Sequence, residues 1–215
     1  MRRAFHGYYA ILDVPPGRAA DLVAARSRAL RLITADPCWL QVRAKGASAA
    51  ELLALGRAVL PLARAASIPL CINDRLDVAL VLGADAVHLG QDDLPLAEAR
   101  QIAGGRLCIG ISTHDRAQVN AALAGGADYL GFGPIYPTLS NQNPDPVVGL
   151  AALREVCLDA TVPVVAIGGI GLGEIRAVAA AGAAAVAVIS AMERAPDAAL
   201  AGRAIQAVYA AINRG

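Results

Sequence analysis

Lysine is nearly absent from this chain: Lys45 stands alone against eighteen arginines. Long apolar runs are missing as well, none reaching the roughly 18 residues that a membrane-spanning helix needs. The opening Met1-Arg2-Arg3-Ala4-Phe5-His6-Gly7 lacks the apolar core of a secretory signal, so a cytoplasmic protein is expected. Cys38, Cys71, Cys108 and Cys157 form no C-x-x-C pair and have no histidine at zinc-ligand spacing, which argues against a zinc site or a disulfide framework and for small buried hydrophobes. Nineteen basic and eighteen acidic residues leave a net charge of +1. No global field therefore draws in nucleic acid or an anionic membrane, and any anion must be held by local clustering. Phenylalanine occurs only twice although 56% of the chain is hydrophobic; alanine throughout points to many tightly packed helices.

Short apolar runs alternate with alanine-rich helical stretches eight times. The expected strands are Tyr8 to Asp13, Trp39 to Val42, Leu70 to Asn73, Ala86 to Leu89, Leu107 to Ile111, Tyr129 to Phe132, Val164 to Ile167 and Val186 to Ile189. Helices are expected to begin near Arg18, Ser48, Asp74, Leu94, Asp115, Gly149, Gly171 and Asp197. An internal echo supports the count: Gly83-Ala84-Asp85 opens the same pattern as Gly126-Ala127-Asp128, and Gly182-Ala183-Ala184 repeats it more loosely. No linker or composition shift divides residues 1–215. The chain reads as one α/β domain, a closed (β/α)8 TIM barrel with parallel strands. Its longest irregular segment, Gly133 to Pro146, holds four prolines, and a loop of that length is usually functional.

Barrels of this kind place their active sites at the carboxyl ends of the strands. That rule selects Gln41, Arg43 and Lys45 after strand two, Asn73 and Asp74 after strand three, Gln91, Asp92 and Asp93 after strand four, and Ser112 at the end of strand five. If strand two runs on, its alternation puts Gln41, Arg43 and Lys45 on one face. A lone lysine among arginines suits an oxygen gripped end-on. Asp74 and Asp93 fit a magnesium-diphosphate site better than a bare phosphate site, but could instead form an acid/base couple or cap their helices. Gly168-Gly169-Ile170, with Ile189 and Ser190, matches the common barrel phosphate site, although a doubled glycine also serves as a tight turn. Ser112-Thr113-His114-Asp115 doubles as a capping box, and His88 reads as a packed, hydrogen-bonded core histidine.

Together these motifs resemble thiamin phosphate synthases over nearly the whole chain. They are Gln41-x-Arg43-x-Lys45-Gly46, Asn73-Asp74-Arg75, His88-Leu89-Gly90-Gln91-x-Asp93, Gly131-Phe132-Gly133-Pro134-Ile135-Tyr136-Pro137-Thr138, Asn143-Pro144-Asp145-Pro146 and Ala166-Ile167-Gly168-Gly169-Ile170. The resemblance implies an enzyme that joins 4-amino-2-methyl-5-hydroxymethylpyrimidine diphosphate to a thiazole (carboxy)phosphate and releases diphosphate, with magnesium; its partners are these small-molecule substrates, not nucleic acid or membrane. Gln41, Arg43, Lys45, Asn73 and Ser112 would hold the diphosphate substrate, with Arg43, Lys45 and Ser112 carrying the chemistry. Asp74 and Asp93 would hold the metal. Thr138, Ser140, Gly169, Ile189 and Ser190 would hold the thiazole phosphate. Two positions depart from the family: Ala44 replaces an acidic residue, and Asn141 stands where a lysine usually contacts the diphosphate. Two other readings stay open: a non-catalytic paralogue that binds phosphorylated ligand, motivated by Asn141, and an isomerase like the related thiazole tautomerase branch, which has a histidine where this chain has Pro134.

Overall fold

The computed structural model describes residues 4–138 and 146–212. Strands β1 (Gly7–Asp13), β2 (Trp39–Arg43), β3 (Leu70–Asn73) and β4 (Ala86–Leu89) alternate with helices α1 (Leu22–Ile33), α2 (Ala49–Ala65), α3 (Leu76–Leu82) and α4 (Leu96–Ala103). The second half continues with β5 (Cys108–Thr113), α5 (Arg116–Ala124), β6 (Tyr129–Phe132), α6 (Gly149–Asp159), β7 (Val164–Ile167), α7 (Ile175–Ala180) and β8 (Ala185–Ala187). A short α8 (Ser190–Arg194) and the longer α9 (Ala198–Ile212) follow. Every strand pairs in parallel with its sequence neighbour, and β8 pairs with β1 to close the barrel. Among the described residues no helix is long and apolar enough to cross a membrane.

The strands lie within two residues of their expected bounds, and the differences have local causes. Strand β8 stops at Ala187 rather than Ile189, because Ile189 leaves extended geometry (φ −94°, ψ −75°) and Ser190 opens α8 instead of ending the strand. Helix α1 starts at Leu22, beyond the turn after Pro15-Pro16-Gly17, where the Asp21 side chain accepts from Ala24 N. Helices α3, α4 and α7 likewise begin at Leu76, Leu96 and Ile175, later than expected.

The echoed Gly-Ala-Asp has a specific job. Asp85 accepts from Leu70 N at 2.9 Å and from Arg64 at 3.0 Å, tying the start of β4 to the start of β3 and the end of α2. Asp128 repeats this one unit later, with Ile109 N at 2.6 Å and Arg100 at 2.7 Å. The loose third copy has Ala184 in the acidic position.

Both faces of the strands are buried, so they carry nearly continuous apolar runs. Outward residues such as Tyr8, Leu12, Leu40, Ile72, Val87 and Leu130 pack on the helices, where fully buried Ala29, Ala63, Ala79 and Ala99 allow close approach. Inward residues form a second cluster that includes Tyr9, Trp39, Cys71, Cys108, Tyr129 and Ala187. Phe5 packs beside this inner cluster, its ring centroid 5.0 Å from that of Trp39 and 4.5 Å from that of Tyr129. The inner face alternates large rings with residues that lack side-chain volume. A Cβ on Gly110 would fall 2.1 Å from Tyr129 Cζ. Gly110→Ala is therefore expected to lower stability by about 1–3 kcal/mol, the usual cost of an overpacked core, measured as a lower urea midpoint; an unchanged midpoint would mean that the Tyr129 ring is free to move aside.

Candidate active site

The carboxyl ends of the strands open onto a cavity of about 650 Å3. Its lining includes Gln41, Arg43, Lys45, Asn73, Asp74, Asp93, Ser112, Thr138, Gly169, Ile189 and Ser190, so every site residue expected from the sequence and described by the structure meets here. Ser140 and Asn141 lie outside the described residues.

At one end stand the cations. Strand β2 ends at Arg43, and Lys45 reaches the cavity from the turn that follows, not from strand alternation. Arg43 is ion-paired with Asp13, its register partner on β1. Asp13 went unremarked in the sequence, although β1 alternation places Tyr9, Ile11 and Asp13 on one face.

Facing the cations are the two carboxyls. Asp74 does not cap α3: Arg75 holds the N-cap position, and Asp74 sits at φ +63° with its N–H donating to His88 O at 2.8 Å. Asp93 Oδ2 accepts from Gly90 N at 2.6 Å. Burial and the adjoining Asp93 carboxyl push the Asp74 carboxyl up to about 6, against the opposing pull of Lys45 and Arg43. Among the described residues no group of three or more His, Cys, Asp or Glu side chains converges. Two carboxylates alone suit a hard cation that completes its shell with waters and phosphate oxygens.

The floor is polar and buried. His88 points inward from β4, with Nδ1 2.9 Å from the Tyr129 hydroxyl and Nε2 2.9 Å from Ser112 Oγ. Burial pulls its pKa down to about 4, so the ring is neutral near pH 7. The expected packed histidine is thus also part of the cavity wall. Ser112 does not cap α5; Asp115 does, accepting from Gln118 N at 2.8 Å. Tyr9, Tyr129 and His114 also line the cavity and were missed. The two tyrosines were legible as inward positions of apolar strands; for His114, whose Nδ1 lies 2.6 Å from Gly133 O, the sequence offers no signal.

At the opposite end, Gly168 and Gly169 have φ of +94° and +66°. A Cβ on Gly169 would lie 2.4 Å from Pro137 O and 2.5 Å from Tyr136 O. The doubled glycine thus lets the loop after β7 touch the loop after β6, where Tyr136 N donates to Gly168 O at 3.0 Å. Thr138, Ile189 and Ser190 complete this end.

The family model described as thiamine monophosphate synthase matches residues 9–192. A thiamine-phosphate synthase of Anaeromyxobacter dehalogenans is 49% identical over 172 residues, 80% of this chain and 77% of that protein. One from Methanospirillum hungatei is 44% identical over 199 residues, 92% and 94% of the two chains. Among solved structures, thiamine phosphate pyrophosphorylase from Pyrococcus furiosus superposes with a TM-score of 0.84 at 32% identity and covers 98% of each chain. These likenesses favour neither the isomerase nor the non-catalytic reading, and with the barrel and its rim they establish that the chain belongs to the thiamine monophosphate synthase family.

Proposed function

We propose that this cavity joins 4-amino-2-methyl-5-hydroxymethylpyrimidine diphosphate to a thiazole (carboxy)phosphate, giving thiamin phosphate and diphosphate. The observation that carries the reading is the meeting in a single cavity of Gln41, Arg43, Lys45, Asn73, Asp74, Asp93 and Ser112, from the β2 to β5 side of the barrel, with Thr138, Gly169, Ile189 and Ser190, from the β6 to β8 side. One side suits a diphosphate and a divalent cation, the other a phosphate monoester. Diphosphate leaves readily only when its growing charge is neutralised. Arg43 and Lys45 do this from the protein side, and Asp13 holds Arg43 in place. Asp74 and Asp93 would hold magnesium, which when bound would neutralise charge on the departing oxygens. Neutral His88 adds no cation beside the electron-deficient pyrimidine methylene, which the thiazole nitrogen then captures. No side-chain nucleophile is required.

The direct test incubates the protein with both phosphorylated substrates and magnesium and looks for coupled product and diphosphate. Product is expected with magnesium and its loss in excess chelator; no product at saturating substrates would overturn the reading, and full activity in chelator would remove the metal from it.

Lys45→Arg is expected to be damaging in a chain otherwise built on arginine. The planar guanidinium cannot rotate three donors around one oxygen, so kcat/KM for the diphosphate substrate should fall by about tenfold or more, about 1.4 kcal/mol. Unchanged kinetics would make the lysine incidental.

Asp74 links function to stability. Its carboxyl titrates near its ordinary value in the unfolded chain and at about 6 in the native state. Between those values the native state holds the proton more tightly, so the metal-free protein loses stability as pH rises through that window. Asp74→Asn removes the loss. In chelator at pH 7 the variant should unfold at a higher temperature than the parent, while its turnover with magnesium drops; a lower unfolding temperature would contradict the cost of burying the Asp74 charge beside Asp93.

A further inference from the structure

A continuous line of side-chain hydrogen bonds crosses the floor of the cavity, with members from five strands. Gln41 Nε2 on β2 donates to the Tyr9 hydroxyl on β1 at 3.0 Å, and that oxygen lies 3.0 Å from the Tyr129 hydroxyl on β6. Tyr129 Oη lies 2.9 Å from His88 Nδ1 on β4, and His88 Nε2 lies 2.9 Å from Ser112 Oγ on β5. Small residues hold the rings in place. Gly110 makes room for the Tyr129 ring, and a Cβ on Gly131 would stand 3.0 Å from His88 Cε1. The Ser112 carbonyl is fixed separately, accepting from Gln91 Nε2 at 2.6 Å. What the line sets is where the Ser112 hydroxyl proton points.

Each phenol has one proton to give, and so does a neutral imidazole; the sense of the first bond therefore propagates. The Gln41 amide donates to the Tyr9 oxygen, which leaves the Tyr9 O–H to donate onward. Its takers are the Tyr129 oxygen and the Cys71 sulfur, and sulfur is the weaker acceptor. Having accepted from Tyr9, Tyr129 has His88 Nδ1 at 2.9 Å and the Cys71 sulfur at 3.7 Å as takers of its own proton, and the nearer imidazole nitrogen is the stronger acceptor. A phenol O–H facing a bare imidazole nitrogen is also the better matched pair, because the phenol is the stronger acid and the ring nitrogen the stronger base. The imidazole proton then sits on Nε2 and is donated to Ser112 Oγ, so the Ser112 proton is left to point into the cavity. In the opposite sense Ser112 would donate to His88 and turn only lone pairs toward an anionic substrate, which repels them.

We propose that Tyr129 is a positioning residue that, acting through His88, holds the Ser112 hydroxyl as a hydrogen-bond donor toward the bound diphosphate substrate. This rests on the reading of Ser112 as a contact of that substrate. The donor meets an acceptor of the pyrimidine diphosphate and fixes the angle at which the methylene faces the thiazole. The thiazole phosphate end of the cavity lies outside the line.

Two measurements test it. Imidazole 15N NMR of the substrate-free protein, assigned to His88 by comparison with His88→Asn, is expected to show the proton on Nε2. Tyr129→Phe keeps the ring on Gly110 and removes only the hydroxyl. It should release His88 into a mixture of tautomers and lower kcat about tenfold, the effect of misplacing one substrate hydrogen bond, with KM for the thiazole phosphate unchanged. Wild-type His88 protonated on Nδ1, or on both nitrogens, would overturn the proposal. So would a Tyr129→Phe protein in which either the tautomer or kcat is unaltered, since the first would make any lost rate merely structural and the second would make the tautomer irrelevant to turnover. Failure of the functional reading is seen separately, as a parent protein that makes no coupled product, whereas the tautomer is read with no substrate present.

Discussion

Closure of β8 onto β1 is the constraint on which the cavity depends. In a closed ring of eight parallel strands, alternate side chains have only the interior to occupy, and that interior is just wide enough for them to fill. Here the filling is graded. Toward the amino ends of the strands Trp39 and Phe5 stack, with Cys38 and Cys108 in the same inner cluster. Beside them Tyr9, Gln41, His88 and Tyr129 are joined by hydrogen bonds, with Gly110 leaving room for the Tyr129 ring and Gly131 for His88. The floor of the site is therefore a packed layer whose polar groups satisfy one another, and the charged rim stands on something that does not shift.

Charge at the rim explains why a nearly neutral protein can manage strongly anionic substrates. Three carboxylates, Asp13, Asp74 and Asp93, stand with two cations, Arg43 and Lys45. One carboxylate is used to hold Arg43. Burial, together with the adjoining Asp93 carboxyl, makes Asp74 resist ionising, an arrangement unfavourable in the protein alone. A bound divalent cation would reverse that sign, favouring the charged form of Asp74 and turning a local excess of negative charge into a seat for diphosphate. Without such a cation the two acids would weaken diphosphate binding.

Much of this was legible in the sequence because it rests on local rules. The strand runs, the Gly-Ala-Asp echo and the strand-end rule located β3, β4, β6 and β7 to the residue and named the rim. Two kinds of feature escaped. Lys45, Asp74 and Ile189 lie where the chain leaves regular geometry, and an alternation or capping pattern extended past its true end misreads them: Lys45 sits in a turn, Asp74 at positive φ, and Ile189 ahead of an added helix. Tyr9, Tyr129 and His114 were lost for a different reason. Strand alternation marks the two tyrosines as inward but not the hydroxyl pairing that joins them 120 residues apart, and His114, just past the end of β5, gains its role from the Gly133 carbonyl 19 residues on.

The contrast between floor and rim follows from the chemistry required. A reaction that proceeds by departure of diphosphate needs no nucleophile, so the protein's contribution is almost entirely electrostatic and geometric. Such help is stored as an arrangement that the free protein does not favour and that a bound cation and anion would relieve. Asp74, held at positive φ against Asp93, is the clearest case: a non-glycine residue in that conformation costs of order 1–3 kcal/mol before any charge repulsion is counted. Such a residue persists only where its surroundings over-determine it. Here they are β3, the backbone bond to His88 on β4 and the packed layer below, so the rigidity of the floor is what allows the rim to remain unfavourable until substrate arrives.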